Sequence, residues 1–224
     1  MGFFDVAVQV WPMLMQGLVV TVEVTVLSLA IAAVLGMSSC LMGMSTIKPI
    51  SWLSKFYVWI IRGTPFIVQL FFIYFGIPQI LLQLGIVIRI SSFEAATATL
   101  ALNAGAYMSE IFRGGIQAVD KGQMEASRSL GLPKSRTMAK VILPQALRIS
   151  IPALGNQCII TLKDSSLAQA IALAEIVYMG KIFVGRTMQS FYTYLLIGVV
   201  YLIIITVLQI ILARIERRVS YGDK

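Results

Sequence analysis

The chain has 224 residues, of which 58% are hydrophobic and 12% are charged, and its mean hydropathy is +0.86. Soluble domains average roughly 45–50% apolar and about 25% charged residues, so this composition excludes an ordinary soluble protein. It predicts a single all-α integral membrane domain over residues 1–224. The net charge of +8 comes from basic residues between apolar segments, where they set membrane orientation rather than bind nucleic acid.

Five apolar segments are long enough to cross a bilayer, for which about 20 residues suffice. They cover roughly residues 14–42, 64–82, 93–116, 149–174 and 191–213. Residues 1–12 carry a single charge and lack a basic region and a cleavage site, so we expect no cleaved signal peptide. Glu23 is the only charge in the first segment, and two interpretations stay open: it lies near the membrane interface, or it faces a polar cavity.

Aromatic residues typical of a membrane interface, within Trp52–Trp59, precede the second segment. The sequence then predicts a helix start, with Thr64 as its N-cap and Pro65 in its first turn. Two serines, Ser91-Ser92, precede the third segment. Near the other end of that segment, Glu110 and Arg113 are spaced to pair on one helix face.

The longest polar stretch, residues 113–148, carries a predicted loop over residues 117–148. Lys121–Leu130 is predicted to form a short helix that a glycine and a proline end, and Lys134–Val141 a second one that Pro144 ends. Because a bilayer does not accept such a stretch, we expect a soluble partner to dock there.

Charges interrupt the fourth segment past its middle, at Lys163-Asp164-Ser165-Ser166. Adjacent helical residues point about 100° apart, so Lys163 and Asp164 cannot share one face. Two arrangements stay open: the helix unwinds here, or one side chain faces a cavity and the other a helix interface. Residues 175–189 are predicted to be a mildly polar connection to the fifth segment.

The positive-inside rule assigns the side with more lysine and arginine to the cytoplasm. Thirteen such residues lie at or beyond the ends of the first, third and fifth segments, including Arg113 near the end of the third and the terminal Lys224, and three lie after the second or fourth. Arg62 and Lys163, at or within segments, are left out of both counts. The N-terminus is therefore predicted outside, with the polar stretch and the C-terminus in the cytoplasm.

The chain has no histidine, and its two cysteines, Cys40 and Cys158, lie within apolar segments. We therefore expect no metal site, no disulfide framework and no histidine-dependent catalysis. Residues 131–135 are superficially similar to a nucleotide-binding loop but lack its upstream glycine. We predict that the chain is not an enzyme and that another polypeptide hydrolyses any nucleotide that drives it.

Polar motifs mark most of the chain in a fixed order. The polar stretch contains Glu125-Ala126-Ser127, Gly131 and, after nine residues, Val141-x-Leu143-Pro144. The others are Arg62-Gly63-Thr64-Pro65, Asn103-x-x-Ala106-Tyr107-x-x-Glu110, Lys121-Gly122-Gln123 and Lys163-Asp164-Ser165-Ser166-Leu167. The first set resembles the EAA loop of ABC importer permeases, with Ser127 and Val141 as mild departures. Together the motifs resemble the polar amino acid permease family.

This resemblance implies a type I ABC importer permease fold with five transmembrane helices, in a bacterial cytoplasmic (inner) membrane. It implies a second permease subunit, two cytoplasmic ATPase subunits and an extracytoplasmic solute-binding protein as partners. The chain itself then holds no cofactor, and ATP with magnesium binds to the partner ATPase. We favour a permease homodimer over a heterodimer because this chain carries both a complete loop and a candidate site.

The resemblance also implies roles for individual residues. The ATPase-coupling candidates are Glu125, Ala126, Ser127, Gly131, Leu143 and Pro144, with Glu125 expected to anchor the loop by capping or by pairing with basic groups. The candidates for a structural or gating role are Arg62, Thr64, Pro65, Asn103 and Glu110.

The substrate-binding candidates are Gln157, Asp164, Lys163, Ser165 and Glu23. Gln157 and Asp164, seven residues apart, share a face if the helix is continuous, and Asp164 can bind an ammonium group. A purely structural role for either stays open. The resemblance implies that cationic amino acid importers tend to carry an acidic residue at the Gln157 position, so the neutral amide predicts glutamine or a similar polar amino acid. Cystine, glutamate or a basic amino acid are the alternatives, and an ion-coupled secondary transporter is the remote one.

Overall fold

The computed structural model describes residues 2–220, apart from the side chains of residues 219 and 220, so Lys224 lies outside the described residues. All regular structure within residues 2–220 is helical, which confirms the all-α prediction. The helices are α1 Phe3–Gly43, α2 Lys48–Gly63, α3 Phe66–Phe71, α4 Ile77–Gln83, α5 Ser92–Ala118, α6 Lys121–Ser129, α7 Lys134–Thr137, α8 Leu143–Asp164, α9 Ile176–Thr187 and α10 Ser190–Ser220.

Helix α5 lies at the centre of the fold, where it packs against α1, α2, α3 and α8. Its start is a capping box: the Ser91 hydroxyl accepts the Glu94 N–H at 3.2 Å, and the Glu94 carboxylate accepts the Ser91 N–H at 2.8 Å. Small residues on its buried sides allow close helix packing, namely Ala95, Ala96, Ala101, Ala104, Gly105 and Ala106.

Helix α1 is 41 residues long and begins at Phe3, whereas the sequence predicts an apolar segment only from residue 14. Pro12 lies inside the helix, where a proline removes one backbone hydrogen bond. The helix persists because Val6, Val10 and Leu14 are fully buried against α9 and α10. This packing outweighs the local cost of the proline.

The helix is interrupted between α2 and α3, and this break differs from the predicted helix start in which residue caps α3. Thr64 ends α2 in an extended conformation, and its hydroxyl donates to the Ile60 carbonyl at 2.8 Å instead of capping the next helix. Pro65, also extended, holds the cap position of α3. The prediction of Thr64 as N-cap is therefore wrong, because the residue before a proline is driven out of the helical region.

Two π-helical turns join helices that the sequence treats as separate. Phe72–Gly76 joins α3 to α4, and Met138–Ile142 joins α7 to α8. Pro144 is predicted to end the second short helix, but the chain stays helical from Lys134 to Asp164. Pro144 lies in the first turn of α8, directly after the π turn, where the missing N–H is tolerated.

Helix α8 passes at Ser165 into a 3-10 helix, Ser165–Ile171, so the backbone tightens at the predicted interruption rather than unwinding. The predicted connection over residues 175–189 is mostly helix α9. Glu175, fully buried, caps α9 by accepting the backbone N–H groups of Val177 at 2.9 Å and Tyr178 at 2.7 Å. Composition does not reveal this helix because its stability comes from packing on α1.

Three helices of the described chain are long and apolar enough to cross a membrane: Phe3–Gly43, Phe66–Gln83 and Ser190–Arg218. The pair Lys134–Ile171 and Ile176–Thr187, bent by 44°, makes a fourth if it is one span. Helix α5 forms where the third segment is predicted but is not among them. Its buried small and polar residues lower its hydropathy, since neighbouring helices cover it instead of lipid.

Candidate functional site

A cavity of about 330 Å³ lies where the break between α2 and α3 meets α5 and α8. Its lining residues come from three separate parts of the chain: Thr64, Pro65, Phe66, Asn103, Tyr107, Gln157, Ile160 and Asp164. Five of these are site candidates from the sequence. The fold thus brings two substrate-binding candidates, Gln157 and Asp164, to the same cavity as three of the structural candidates.

Helix α8 is continuous from Gln157 to Asp164, so both side chains reach the cavity from one face, as the spacing requires. Gln157 is buried, and its side-chain nitrogen lies 3.4 Å from the Thr161 hydroxyl. Asp164 is half-buried at the last turn of the helix. The cavity therefore combines one carboxylate with a neutral amide about two helical turns away.

Three other substrate-binding candidates lie elsewhere. Lys163 is exposed and does not line the cavity, and Ser165 is fully buried with its hydroxyl donating to the Leu162 carbonyl at 2.7 Å. Glu23 is exposed and lines a separate, mainly apolar groove of about 530 Å³ beside Phe93 in the first turn of α5.

The wall formed by α5 is tied to the break by an amide that sequence reasoning missed. Gln69, buried on α3, donates from its side-chain nitrogen to the carbonyls of Ile61 at 2.7 Å and Thr64 at 3.0 Å. Its side-chain oxygen accepts from Asn103 at 3.0 Å. The available signal was a single amide in the otherwise apolar helix Phe66–Phe71.

Charged groups lie next to the cavity, along α5. The Arg62 guanidinium lies 5.2 Å from the centre of the Tyr107 ring, a cation–π distance. A guanidinium nitrogen of Arg62 also lies 3.6 Å from a carboxylate oxygen of Glu110, and Glu110 forms the predicted ion pair with Arg113. Two arginines thus share one carboxylate beside the cavity.

The polar stretch forms a compact helical segment. Asp120 caps α6 by accepting the Gly122 N–H at 2.6 Å, so the capping carboxylate is Asp120 and not Glu125. Glu125 and Ala126 are exposed, while Ser127 is buried.

Exposed and buried residues of this segment face in different directions. Leu130, at the end of α6, is 84% exposed, and Gly131 follows it with a φ of +82°. Met124 and Leu143 pack instead against the buried cluster that α1, α5 and α8 share, while Pro144 is exposed. The segment is thus joined to the helices that form the cavity. The described part of the chain holds no group of His, Cys, Asp or Glu that suits a metal ion.

The model of one protein family matches residues 33–221: the inner membrane component of binding-protein-dependent transport systems. The chain belongs to this family. It is accordingly a multi-pass component of the cytoplasmic membrane.

Individual relatives match this chain over almost its whole length. The chain is 39% identical over 213 residues to the glutamine transport system permease protein GlnP of Escherichia coli K12, with 93% of this chain and 94% of GlnP covered. It is 34% identical over 220 residues to the arginine transport system permease protein ArtQ of Bacillus subtilis 168, with 98% of each covered. A crystal structure of an amino acid ABC transporter with histidines is similar at a TM-score of 0.89, with 39% identity, 97% of this chain and 99% of that chain covered.

Proposed function

We propose that this chain is the membrane-spanning permease subunit of an ATP-driven importer for a polar amino acid. The observation that carries the proposal is the cavity in which Asp164 and Gln157 of α8 meet Asn103 of α5. Its volume of about 330 Å³ suits a small solute, and its carboxylate and amides match the groups of an amino acid. The relatives that transport arginine or glutamine by name agree with this substrate class.

Glutamine, or a similar neutral polar amino acid, is the substrate that we propose. Asp164 binds the ammonium group, and the Gln157 and Asn103 amides hydrogen-bond the polar side chain or the carboxylate. A cationic side chain would need a second carboxylate, and Asp164 is the only one that lines the cavity within the described residues. Cystine, glutamate or a basic amino acid are the alternatives in the same family.

We further propose five transmembrane spans, with α5 as the span that the other helices shield from lipid. The N-terminus is then outside, and α6 and the C-terminus are in the cytoplasm. The distribution of lysine and arginine supports this orientation. The opposite orientation would place most of the basic residues outside.

A separate ATPase drives transport in this proposal, with ATP and magnesium bound to that partner. Helix α6 and the residue after it form the docking element: Glu125, Ala126 and Leu130 are exposed for contact, as is Pro144. Ser127 is buried, and Leu143 packs against the helix bundle. Gly131 sets the turn after α6. The other partners are an extracytoplasmic solute-binding protein and a second permease subunit, which we take to be another copy of this chain.

The decisive experiment measures substrate-stimulated ATPase activity in the reconstituted complex, with the binding protein present and each amino acid tested in turn. We expect stimulation by glutamine and little by arginine. Stimulation by arginine or lysine instead would overturn the argument from Gln157. Stimulation by no amino acid would overturn the substrate class.

A further inference from the structure

A second, basic pocket of about 310 Å³ lies where the C-terminal end of α1, helix α2 and the C-terminal half of α5 meet. Its wall contains Lys55, Arg62 and Arg113 together with one carboxylate, Glu110. It shares no lining residue with the cavity that contains Gln157. The two are therefore distinct sites on neighbouring parts of α5.

The positive charge of this pocket exceeds its negative charge. Glu110 is paired with Arg113 and lies 3.6 Å from Arg62, so one carboxylate serves two guanidinium groups. Lys55 is exposed and forms no salt bridge with a described residue. Two formal positive charges therefore remain, which favours an anionic ligand.

The pocket continues into an exposed aromatic surface, which indicates what kind of anion fits. Trp52, Phe56 and Trp59 on α2 are 65%, 42% and 70% exposed, and their ring centres lie 5.3 and 5.9 Å apart in sequence order. Lys55 and Trp59 line both the basic pocket and a groove between these rings. A small soluble anion would not contact this aromatic surface, whereas the acyl chains of a phospholipid can pack against it.

We propose that this pocket binds the phosphate of an anionic phospholipid, with an acyl chain along the Trp52–Trp59 surface. Basic pockets between transmembrane helices on the cytoplasmic side attract such headgroups. The assignment to the cytoplasmic leaflet rests on the proposed orientation, whereas the preference for an anionic lipid rests on the pocket alone. The negatively charged leaflet then holds α2 beside the Arg62–Glu110 pair.

The test compares two lipids with identical acyl chains, phosphatidylglycerol and phosphatidylcholine, by native mass spectrometry of the purified full chain in detergent. We expect phosphatidylglycerol to bind more tightly. Lys55→Gln should weaken it about fivefold, the effect of one lysine near anionic lipid, and leave phosphatidylcholine unchanged. Lys48→Gln is the matched control, because Lys48 is on the same helix and does not line the pocket.

Lys55→Arg controls for folding, since it keeps the charge and should keep the preference for phosphatidylglycerol. Equal binding of the two lipids by the unchanged chain would overturn the proposal. So would an equal loss in Lys48→Gln and Lys55→Gln. Glycerol phosphate that displaces phosphatidylglycerol at matched concentration would show that a soluble phosphate suffices and would also overturn it. Binding in detergent involves no transport, so its failure is separate from failure of the amino acid proposal.

Discussion

The side-chain nitrogen of Asn103 donates a 3.0 Å hydrogen bond to the side-chain oxygen of Gln69, which joins α5 to α3 beside the candidate cavity. The nitrogen of the same Gln69 amide bonds two carbonyls at the end of α2, those of Ile61 and Thr64. One buried side chain thus holds three helices in register. Gln69 itself does not line the cavity, but it is hydrogen-bonded to Asn103 and Thr64, which do.

Gln69→Met should lower the stability of the purified chain and weaken substrate binding. Methionine fills a similar volume but leaves the Asn103 amide and two carbonyls without their partner, at a cost of about 2 kcal/mol. Thermal unfolding in detergent measures the change. The control is Gln79→Met, because Gln79 is exposed on α4 and should tolerate the same exchange. Equal stability of the two variants would show that the Gln69 bonds contribute nothing.

Gln157→Glu should shift the preference of the cavity from glutamine towards arginine. A second carboxylate two turns from Asp164 adds a charge-assisted hydrogen bond to a cationic side chain, worth about tenfold in affinity. Ligand-induced thermal stabilisation of the permease complex without its binding protein measures this shift. Asn156→Asp adds the same charge on the same helix at an exposed position outside the cavity, and there the preference should not change. An unchanged preference in Gln157→Glu would assign Gln157 a structural role.

Glu125→Arg should abolish ATP-dependent transport while the permease itself stays folded. Glu125 is exposed and, within the described residues, has no salt-bridge partner, so its replacement leaves the fold intact and changes only the surface that we propose meets the ATPase. Co-purification of the ATPase and transport into proteoliposomes measure the loss. Glu216→Arg makes the same change in charge near the end of α10 and should transport normally. Full transport by Glu125→Arg would favour an ion-coupled mechanism that needs no ATPase.

Gly131→Ala should destabilise the turn after α6 by about 1 kcal/mol, because an alanine is strained at a φ of +82°. No atom lies within 4 Å of the added methyl group, so the cost is purely conformational. Gly131→Asn should cost less, since asparagine tolerates this region. Gly185→Ala, in helix α9 with equally open space, should stabilise the chain slightly. Equal midpoints of thermal unfolding for Gly131→Ala and Gly185→Ala would contradict this account.

Local signals allowed the sequence to predict some elements well. Helix α5 starts at Ser92, within one residue of the predicted segment, because its capping box needs only Ser91 and Glu94, three residues apart. Helix α6 forms within the predicted Lys121–Leu130 for a similar reason, since Asp120 and Gly131 bracket it. In both cases the residues that decide the structure lie within the element or beside it.

Features that depend on distant contacts were not predictable. Gln69 finds Asn103 34 residues away, and no periodicity in α3 points to that partner. Glu175 becomes a buried cap only because α1 and α10 enclose it, with the Tyr201 hydroxyl 3.4 Å from its carboxylate. Asp164 lines the cavity while Lys163 and Ser165 do not, and predicting this difference likewise required knowing which face of α8 meets α5.

Helix α1 passes close to the start of α9 at Gly17, and Gly17→Ala tests this contact. The methyl carbon of an alanine would lie 2.8 Å from the Glu175 carbonyl carbon and the Ile176 nitrogen, so one of the two helices must shift. Such overpacking costs about 1–3 kcal/mol. Gly198→Ala, in α10 with no atom within 4 Å of the added carbon, should leave thermal unfolding unchanged or raise its midpoint.

Because Glu175 caps α9 at this contact, Gly17→Ala should also loosen α9, and hydrogen exchange at Val177 and Tyr178 should accelerate. Unchanged protection of these two amides would show that the cap holds without α1.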